Sequence, residues 1–142
     1  MIDSQTAAGS CKHIVSVSLG SSERNAKSIV QLNGQAFMIE RLGTDGDLEK
    51  ARQLLEELDG HVDALGLGGT DLYVYAGGSR YTFRESAQLI KNVKKTPVLD
   101  GSGLKNSLER SLINRLAADG TIAFQGKKVL LVCGVDRFGM AE

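Results

Sequence analysis

The chain has 142 residues, of which 42% are hydrophobic and 24% charged, and 17 Lys and Arg residues balance 17 Asp and Glu residues. Zero net charge argues against a nucleic-acid-binding surface, and no apolar run approaches the about 20 residues that cross a membrane. Two cysteines without metal-ligand spacing favour a reducing, cytoplasmic setting and no metal site. Residues 1–12 carry no secretory signal and are interpreted as a disordered leader.

Strand and helix signals alternate from residue 13 onward. Alternating apolar residues and short apolar runs indicate strands, and a one-sided apolar stripe between Asp47 and Gly60 indicates a helix. Asn33-Gly34 joins two strand runs and is typical of a tight hairpin, since both central residues of that turn need positive φ. In the first half, the predicted elements are strands 13–19, 28–32 and 35–42 and a helix over 48–58.

The second half of the chain repeats these signals. Gly77-Gly78 predicts a second hairpin, and Thr82 with Glu85 indicates a capping box. The predicted elements are strands 62–67, 71–76, 79–83, 96–100 and 127–133, and helices over 84–95 and from 102 or 103 to Gly120. Because helices alternate with strands, we predict an α/β fold: a single domain over 13–125 with a mixed, partly parallel sheet, two β-hairpins and flanking helices.

Glycine and polar residues cluster where several predicted strands end. Ligands of open α/β sheets bind beyond the carboxyl ends of the strands, so these clusters are candidate substrate-binding residues. Ser16 and Ser18 lie on one face of the first strand, where the paired hydroxyls either hold a carboxylate or satisfy each other. Gly68, Thr70 and Asp71 follow the fourth predicted strand.

The richest of these clusters runs from Asp100 to Asn106. Lys105 falls in the first turn of a predicted helix, where a cation opposes the helix dipole, so it either points to solvent or meets an anion. Asp100 and Lys105 are the candidate catalytic pair, able to move a proton to and from a substrate hydroxyl. Ser102 is a further candidate for binding the substrate. The alternative interpretation is a capped helix with a solvated lysine.

The carboxyl-terminal stretch has the spacing that opens a dinucleotide-binding unit. An apolar run is followed by Gly134, Asp136 and Gly139, the candidate cofactor-binding residues, with the aspartate where a middle glycine is usual. Residues 126–142 therefore predict the start of a further βα unit. A chain that ends there is expected to be the first half of a longer protein.

Four segments resemble bacterial proteins called quinate 5-dehydrogenase, and the resemblance runs from about residue 13 to the end. The segments are Ile14–Ser22, Leu65–Tyr73, Val98–Asn106 and Val135–Gly139. The resemblance implies NAD- or NADP-dependent oxidation of quinate or shikimate, a small polyhydroxy carboxylate, at a ring hydroxyl. It makes this chain the amino-terminal, substrate-side half, which binds no NAD or NADP and is inactive alone.

The related shikimate dehydrogenase family carries a Ser-x-Ser carboxylate clamp, and Ser16 and Ser18 match its spacing. The Asn-x-Thr-x-Pro context of that family's lysine is missing here, and Thr44-Asp45-Gly46 echoes its Asn-Thr-Asp-Gly segment much too early. Two alternatives stay open. One is an actin-like or ribonuclease-H-like ligand-binding domain without catalysis, in which Gly20-Ser21-Ser22 holds phosphate. The other is an interaction or dimerisation domain, which leaves a homodimer open.

Overall fold

The computed structural model describes residues 10–142, which divide into two units. Unit 1 comprises residues 10–70 and 89–99, and unit 2 comprises residues 71–88 and 100–142. The leader expected over 1–12 lies outside the described residues except at its end, where Lys12 already belongs to the first strand. No helix in the described part of the chain is long and apolar enough to cross a membrane.

The strands are β1 (Lys12–Ser18), β2 (Ala26–Leu32), β3 (Gln35–Gly43), β4 (Ala64–Gly68), β5 (Tyr73–Ala76), β6 (Ser79–Thr82) and β7 (Val98–Leu99). The helices are α1 (Leu48–Leu58), α2 (Arg84–Leu89), α3 (Ser102–Asn106), α4 (Leu108–Ala118) and α5 (Phe138–Ala141), with a short 3-10 turn over Ser22–Arg24. This mixed α/β content confirms the predicted fold class.

Unit 1 is built on a five-stranded sheet in the order β2-β3-β1-β4-β7. Strand β1 runs parallel to β3 and β4, β4 runs parallel to β7, and β2 is antiparallel to β3. The sheet is therefore mixed and partly parallel, as predicted. The β2–β3 hairpin turns at Asn33-Gly34 with φ of 50° and 81°, which confirms the first predicted hairpin.

The core of unit 1 lies between one face of this sheet and α1. It consists of apolar side chains with almost no exposed area: Val15, Val17, Leu65 and Leu67 from the strands, and Ala51 and Leu55 from the helix. Asp47 caps α1 as predicted, because its carboxylate accepts a hydrogen bond from the Lys50 N–H. Burial of one stripe of α1 thus fixes which face of the sheet stays free.

The predicted helix over 84–95 ends early, at Leu89. The residues that follow in unit 1 are tied instead to Asp59, whose carboxylate accepts the backbone N–H groups of Lys94, Lys95 and Thr96 at 2.7–2.9 Å. Those hydrogen bonds replace the ones that a longer helix would make. The expected strand over 96–100 shortens to β7, since Pro97 has no N–H to donate.

Unit 2 contains the β5–β6 hairpin and the helices α2, apart from its last residue, α3, α4 and α5. The hairpin turns at Gly77-Gly78 with φ of 55° and 77°, which confirms the second predicted hairpin. Thr82 ends β6, and the carbonyl of Phe83 accepts the Ala87 N–H at 3.0 Å at the start of α2. The residue before the helix is therefore Phe83, whose side chain has no acceptor, and not Thr82 as the expected capping box requires.

Two further predictions in unit 2 are wrong. The helix expected from residue 102 to Gly120 is broken at Ser107, with φ of −117° and ψ of −76°, and the Ser107 hydroxyl donates to the carbonyl of Gly103. The strand expected over 127–133 does not form. Its Leu130 and Val132 are 88% and 73% exposed, because the described residues offer this segment no neighbouring strand.

Candidate functional site

Three parallel strands of unit 1 end at one edge of the sheet. The chain leaves β1 for β3 on one side and then passes to β4 on the other side, so this edge is a topological switch point. The loops beyond the strands are joined there, since the Leu19 N–H donates to the carbonyl of Gly68 and the Thr44 N–H donates to that of Ser18, both at 2.9 Å. This is the position in which α/β sheets bind ligands.

The face of the sheet opposite the core is polar and small at this edge. Ser16 and Ser18 on β1 lie in register with Gly66 and Gly68 on β4. A Cβ on Gly68 would lie 3.0 Å from the Ser18 hydroxyl oxygen, and one on Gly66 would lie 3.2 Å from that of Ser16. The absence of a side chain on the two glycines therefore leaves the serine hydroxyls uncrowded.

Arg41 on β3 reaches the same edge. Its Nη2 donates to the buried hydroxyl of Ser18 at 3.0 Å, and its Nη1 donates to the carbonyl of Ser21 at 2.9 Å. The Ser18 hydroxyl also accepts the Gly20 N–H at 3.2 Å. These hydrogen bonds hold the Arg41 guanidinium in a fixed place beside the serines.

A second guanidinium, that of Arg24, approaches the same glycine. A Cβ on Gly20 would lie 2.6 Å from Nη2 of Arg24 and 3.0 Å from Nη2 of Arg41. Glycine at this position is what lets both cations come close to the backbone. We call the group Ser16, Ser18, Gly20, Arg24 and Arg41 the arginine–serine cradle.

The cradle has an excess of positive charge. Among residues 10–142, neither Arg24 nor Arg41 has a carboxylate within ion-pair distance. The carboxylate of Asp45, on which the charge of Arg41 also acts, accepts the Ser22 N–H at 2.7 Å. That hydrogen bond is the main reason why the pKa of Asp45 is lowered, and Arg41 contributes less.

Unit 2 holds the second candidate group, centred on Lys105. Its Nζ lies 2.8 Å from Oδ1 of Asp71 and 2.5 Å from Oδ1 of Asp136. Burial, the largest single influence, lowers the pKa of Lys105, but the hydrogen bonds to the two carboxylates outweigh it and the net pKa is raised. The Lys105 hydrogen bond in turn lowers the pKa of Asp136. Lys105 is therefore an ammonium ion, and it meets an anion as one predicted alternative had it.

Asp100, the other member of the predicted catalytic pair, has different partners. Its carboxylate accepts the backbone N–H groups of Leu72 at 2.6 Å and Ser102 at 3.0 Å, and it lies 2.6 Å from the Ser102 hydroxyl. Burial raises the pKa of Asp100, yet these hydrogen bonds bring it below its usual value. The structure thus pairs Lys105 with Asp71 and Asp136, while Asp100 and Ser102 fix the start of α3.

The carboxyl-terminal glycine segment fits a dinucleotide poorly. Residues 127–133, which lead into this segment, form no strand, and the helix that follows, α5, has four residues. The Asp136 carboxylate is bound to Lys105. A Cβ on Gly139 would lie 3.0 Å from the carbonyl of Lys105, so this glycine serves the close packing of α5 on α3. A Cβ on Gly134 would lie 4.0 Å from the carbonyl oxygen of Leu131, an ordinary contact. A role for these residues with NAD or NADP stays a prediction.

The predicted site residues fall in both units. Ser16, Ser18, Gly68 and Thr70 belong to unit 1, whereas Asp71, Asp100, Ser102 and Lys105 belong to unit 2. That they share one cleft stays a prediction. Sequence reasoning missed both arginines, although each follows a pattern: Arg24 comes two residues after the Gly-Ser-Ser loop, and Arg41 stands two residues before the end of its strand.

Comparison with known families and proteins completes the description of the site. The family model described as Domain of unknown function (DUF8753) matches residues 13–100, and the one described as Domain of unknown function (DUF8754) matches residues 103–142. No curated protein and no solved structure matches the chain. In the described part of the chain, no group of three or more His, Cys, Asp or Glu side chains is arranged to hold a metal ion.

Proposed function

We propose that this chain, which belongs to the DUF8753 family because that model matches more than half of its length, binds a small polyhydroxy carboxylate in the arginine–serine cradle. The ligand class is that of quinate and shikimate. On this proposal the chain is the amino-terminal, substrate-binding part of an NAD- or NADP-dependent dehydrogenase, and it acts in the cytoplasm without a nucleic-acid partner.

One observation carries the proposal: two guanidinium groups and a serine hydroxyl converge on Gly20 with no carboxylate of the described chain between them. A guanidinium matches a carboxylate in planar, two-point geometry, and such charge-assisted hydrogen bonds are stronger than neutral ones. Ser16 and Ser18 supply further hydroxyls close to Gly66 and Gly68, which have no side chain to crowd them. The rest of the ring, with its own hydroxyls, lies over this polar face.

Lys105 is the proposed proton-transfer group of the longer enzyme. Its raised pKa keeps the amine protonated at neutral pH, so it enters a reaction as a proton donor. It can accept a proton only after it has given up its own to the substrate, and both carboxylates oppose that loss because they stabilise the charged form. Asp100 is proposed to position α3, on which Lys105 lies, through its bonds to Ser102.

Titration calorimetry with quinate and shikimate tests the proposal. We expect both to bind, and a cyclohexane polyol of the same ring without the carboxylate to bind at least tenfold more weakly. Arg41→Gln should weaken quinate binding by about 10–100-fold, which corresponds to the loss of one or two hydrogen bonds to a charged group. Arg115→Gln, a change on the exposed side of α4, is the matched control and should leave binding unchanged. Equal binding of acid and polyol would refute the proposal.

A second candidate function, self-association, is favoured by β2. Every residue of this seven-residue strand is exposed, Ile29 to 69% and Leu32 to 61%, and in the described part of the chain β2 pairs on one side alone. Open, apolar edges of this kind readily pair with another strand. Sedimentation of the chain as a dimer that Ile29→Lys converts to a monomer would support this function, and a monomer at every concentration would reject it.

A further inference from the structure

We infer that the ligand of the arginine–serine cradle carries a phosphate group, either as free phosphate or as a phosphate monoester, held between Arg24 and Arg41 above Gly20. The inference goes beyond the proposed function: it concerns the same cradle but assigns the ligand a different charged group. The phosphate group carries about two negative charges, whereas quinate or shikimate carries one.

The geometry favours a single group that touches both cations. Nη2 of Arg24 and Nη2 of Arg41 lie 2.6 and 3.0 Å from one point, the Cβ position of Gly20, so they are at most about 5.6 Å from each other. Two oxygens of one tetrahedral oxyanion can each accept a hydrogen bond from a donor at this separation. The Ser18 hydroxyl lies 3.4 Å from the same point and offers a further polar contact.

The charge of the cradle favours a dianion. Two guanidinium groups bring two positive charges, and neither has an ion-pair partner among residues 10–142. A monocarboxylate leaves one of these charges without compensation, whereas a phosphate monoester, with a charge between −1.5 and −2 at neutral pH, neutralises both. Arginine pairs are a frequent means of holding phosphate for this reason.

The position of the cradle agrees with a phosphate ligand. Gly20 follows β1 at the switch point of the parallel strands, where glycine lets the backbone come close to a phosphate. Two carbonyls of this loop are already engaged, that of Gly20 with the Asp45 N–H and that of Leu19 with the Gly46 N–H. The loop is thereby fixed before a ligand arrives, and its arginines need no rearrangement of the backbone to reach it.

Titration calorimetry with inorganic phosphate and with methyl phosphate tests the inference, with formate as the monoanion and chloride holding ionic strength constant. We expect phosphate to bind at least tenfold more tightly than formate. Binding of methyl phosphate should strengthen as the pH rises through about 6, the second ionisation of phosphate monoesters, while formate binding stays level. Arg24→Gln and Arg41→Gln should each weaken phosphate binding at least tenfold, and Arg115→Gln should not.

Each outcome decides between the two proposals. Arg24→Gln is the decisive variant, because Arg24 is exposed and the described residues hold its side chain by no hydrogen bond, so the fold survives its loss. Quinate binding that depends on Arg41, together with no phosphate binding, overturns the inference and keeps the proposed function. Phosphate binding that depends on both arginines, without quinate binding, supports the inference and rejects the hydroxy-carboxylate class. Phosphate binding that Arg24→Gln leaves unchanged overturns the inference.

Discussion

Replacing Lys105 by Met removes the cation that holds Asp71 and Asp136 together. The substitution keeps the length of the side chain and its apolar stem, so it deletes two hydrogen bonds and a charge without leaving a cavity. Two carboxylates then share one site without a counter-ion, and each disfavours ionisation of the other. We expect unit 2 to lose stability.

The magnitude follows from the burial of the three side chains. A hydrogen bond to a charged group contributes about 1.5–3 kcal/mol, whereas an exposed ion pair contributes about 0–1 kcal/mol. The side chains of Lys105, Asp71 and Asp136 are 19%, 29% and 32% exposed, which lies between these two situations. The expected loss in the free energy of unfolding is therefore about 1–3 kcal/mol at neutral pH.

Tyrosine fluorescence measures this loss selectively. The chain has no tryptophan, and its three tyrosines, Tyr73, Tyr75 and Tyr81, all lie in unit 2. With a urea dependence of about 1 kcal/mol per molar for a unit of this size, the midpoint of the tyrosine transition should fall by about 1 M or more. Lys128→Met, which removes an exposed lysine, is the matched control and should leave the midpoint unchanged.

The dependence on pH provides a second readout. The pKa of Lys105 is raised in the folded state. Its contribution to the free energy of unfolding is therefore present below the pKa of the unfolded chain and is lost as the pH rises through the pKa of the folded state. The pKa of Asp136 is lowered in the folded state. Its contribution to the free energy of unfolding is therefore present above 3.8, the pKa in the unfolded chain, and is lost as the pH falls below that value. The difference between wild type and Lys105→Met should therefore narrow as the pH falls from about 4 through the lower folded pKa of Asp136. A difference that is the same at pH 3 and pH 7 would refute this account.

Three further predictions concern unit 1. The pKa of Asp59 is lowered to about 2, with the hydrogen bond from the Lys94 N–H as the largest cause. The stability that this carboxylate gives the fold is therefore present above pH 3.8 and lost as the pH falls through about 2. Asp59→Asn should remove that acid-dependent phase from a circular-dichroism titration. Gly43→Ala should lower the free energy of unfolding in urea by about 1–3 kcal/mol, because its Cβ would lie 2.4 Å from the Ser21 carbonyl oxygen. Gly103→Ala in unit 2 is the control: its Cβ would have nothing within 4 Å, so this change should be neutral or stabilising. Leu55→Ala should cost about 2–5 kcal/mol, and a loss below 1 kcal/mol would show that α1 does not close the core.

Local signals in the sequence predicted the fold of unit 1 well. The hairpin at Asn33-Gly34 needs two residues with positive φ, and the residue types alone show where such a turn forms. The stripe from Ala51 to Leu55 has a helical period that only one face of the sheet can bury. Such features depend on neighbours along the chain, so one sequence is enough to find them.

The helix break and the absent strand in unit 2 could not be predicted in the same way. The leucines on either side of Ser107 have a helical spacing, but Leu108 and Leu112 stay 59% and 46% exposed, so no buried contact rewards a continuous helix. The apolar run over 127–133 has the composition of a strand, yet a strand also needs a hydrogen-bonding neighbour. Whether one is present depends on the rest of the structure.

In the candidate sites, too, contacts set by local sequence could be predicted, whereas contacts set by the order of the strands could not. Ser16 and Ser18 could be paired from the period of a strand, because the two positions share a face in any sheet. Lys105 could be expected to meet an anion, but its partners, Asp71 and Asp136, are 34 and 31 residues away along the chain. Arg24 and Arg41 meet only because their strand and their loop end at the same edge, which the order of strands decides.

The carboxylate of Asp59 gives an irregular stretch of unit 1 the hydrogen-exchange behaviour of a regular element. Lys94 and Lys95 are exposed and lie outside any helix or strand, yet their N–H groups, like that of Thr96, end on one carboxylate at the end of α1. An amide exchanges with solvent only when its hydrogen bond opens, whatever the exposure of its side chain. These three amides should therefore exchange together, at the rate at which the end of α1 separates from the segment that leads into β7.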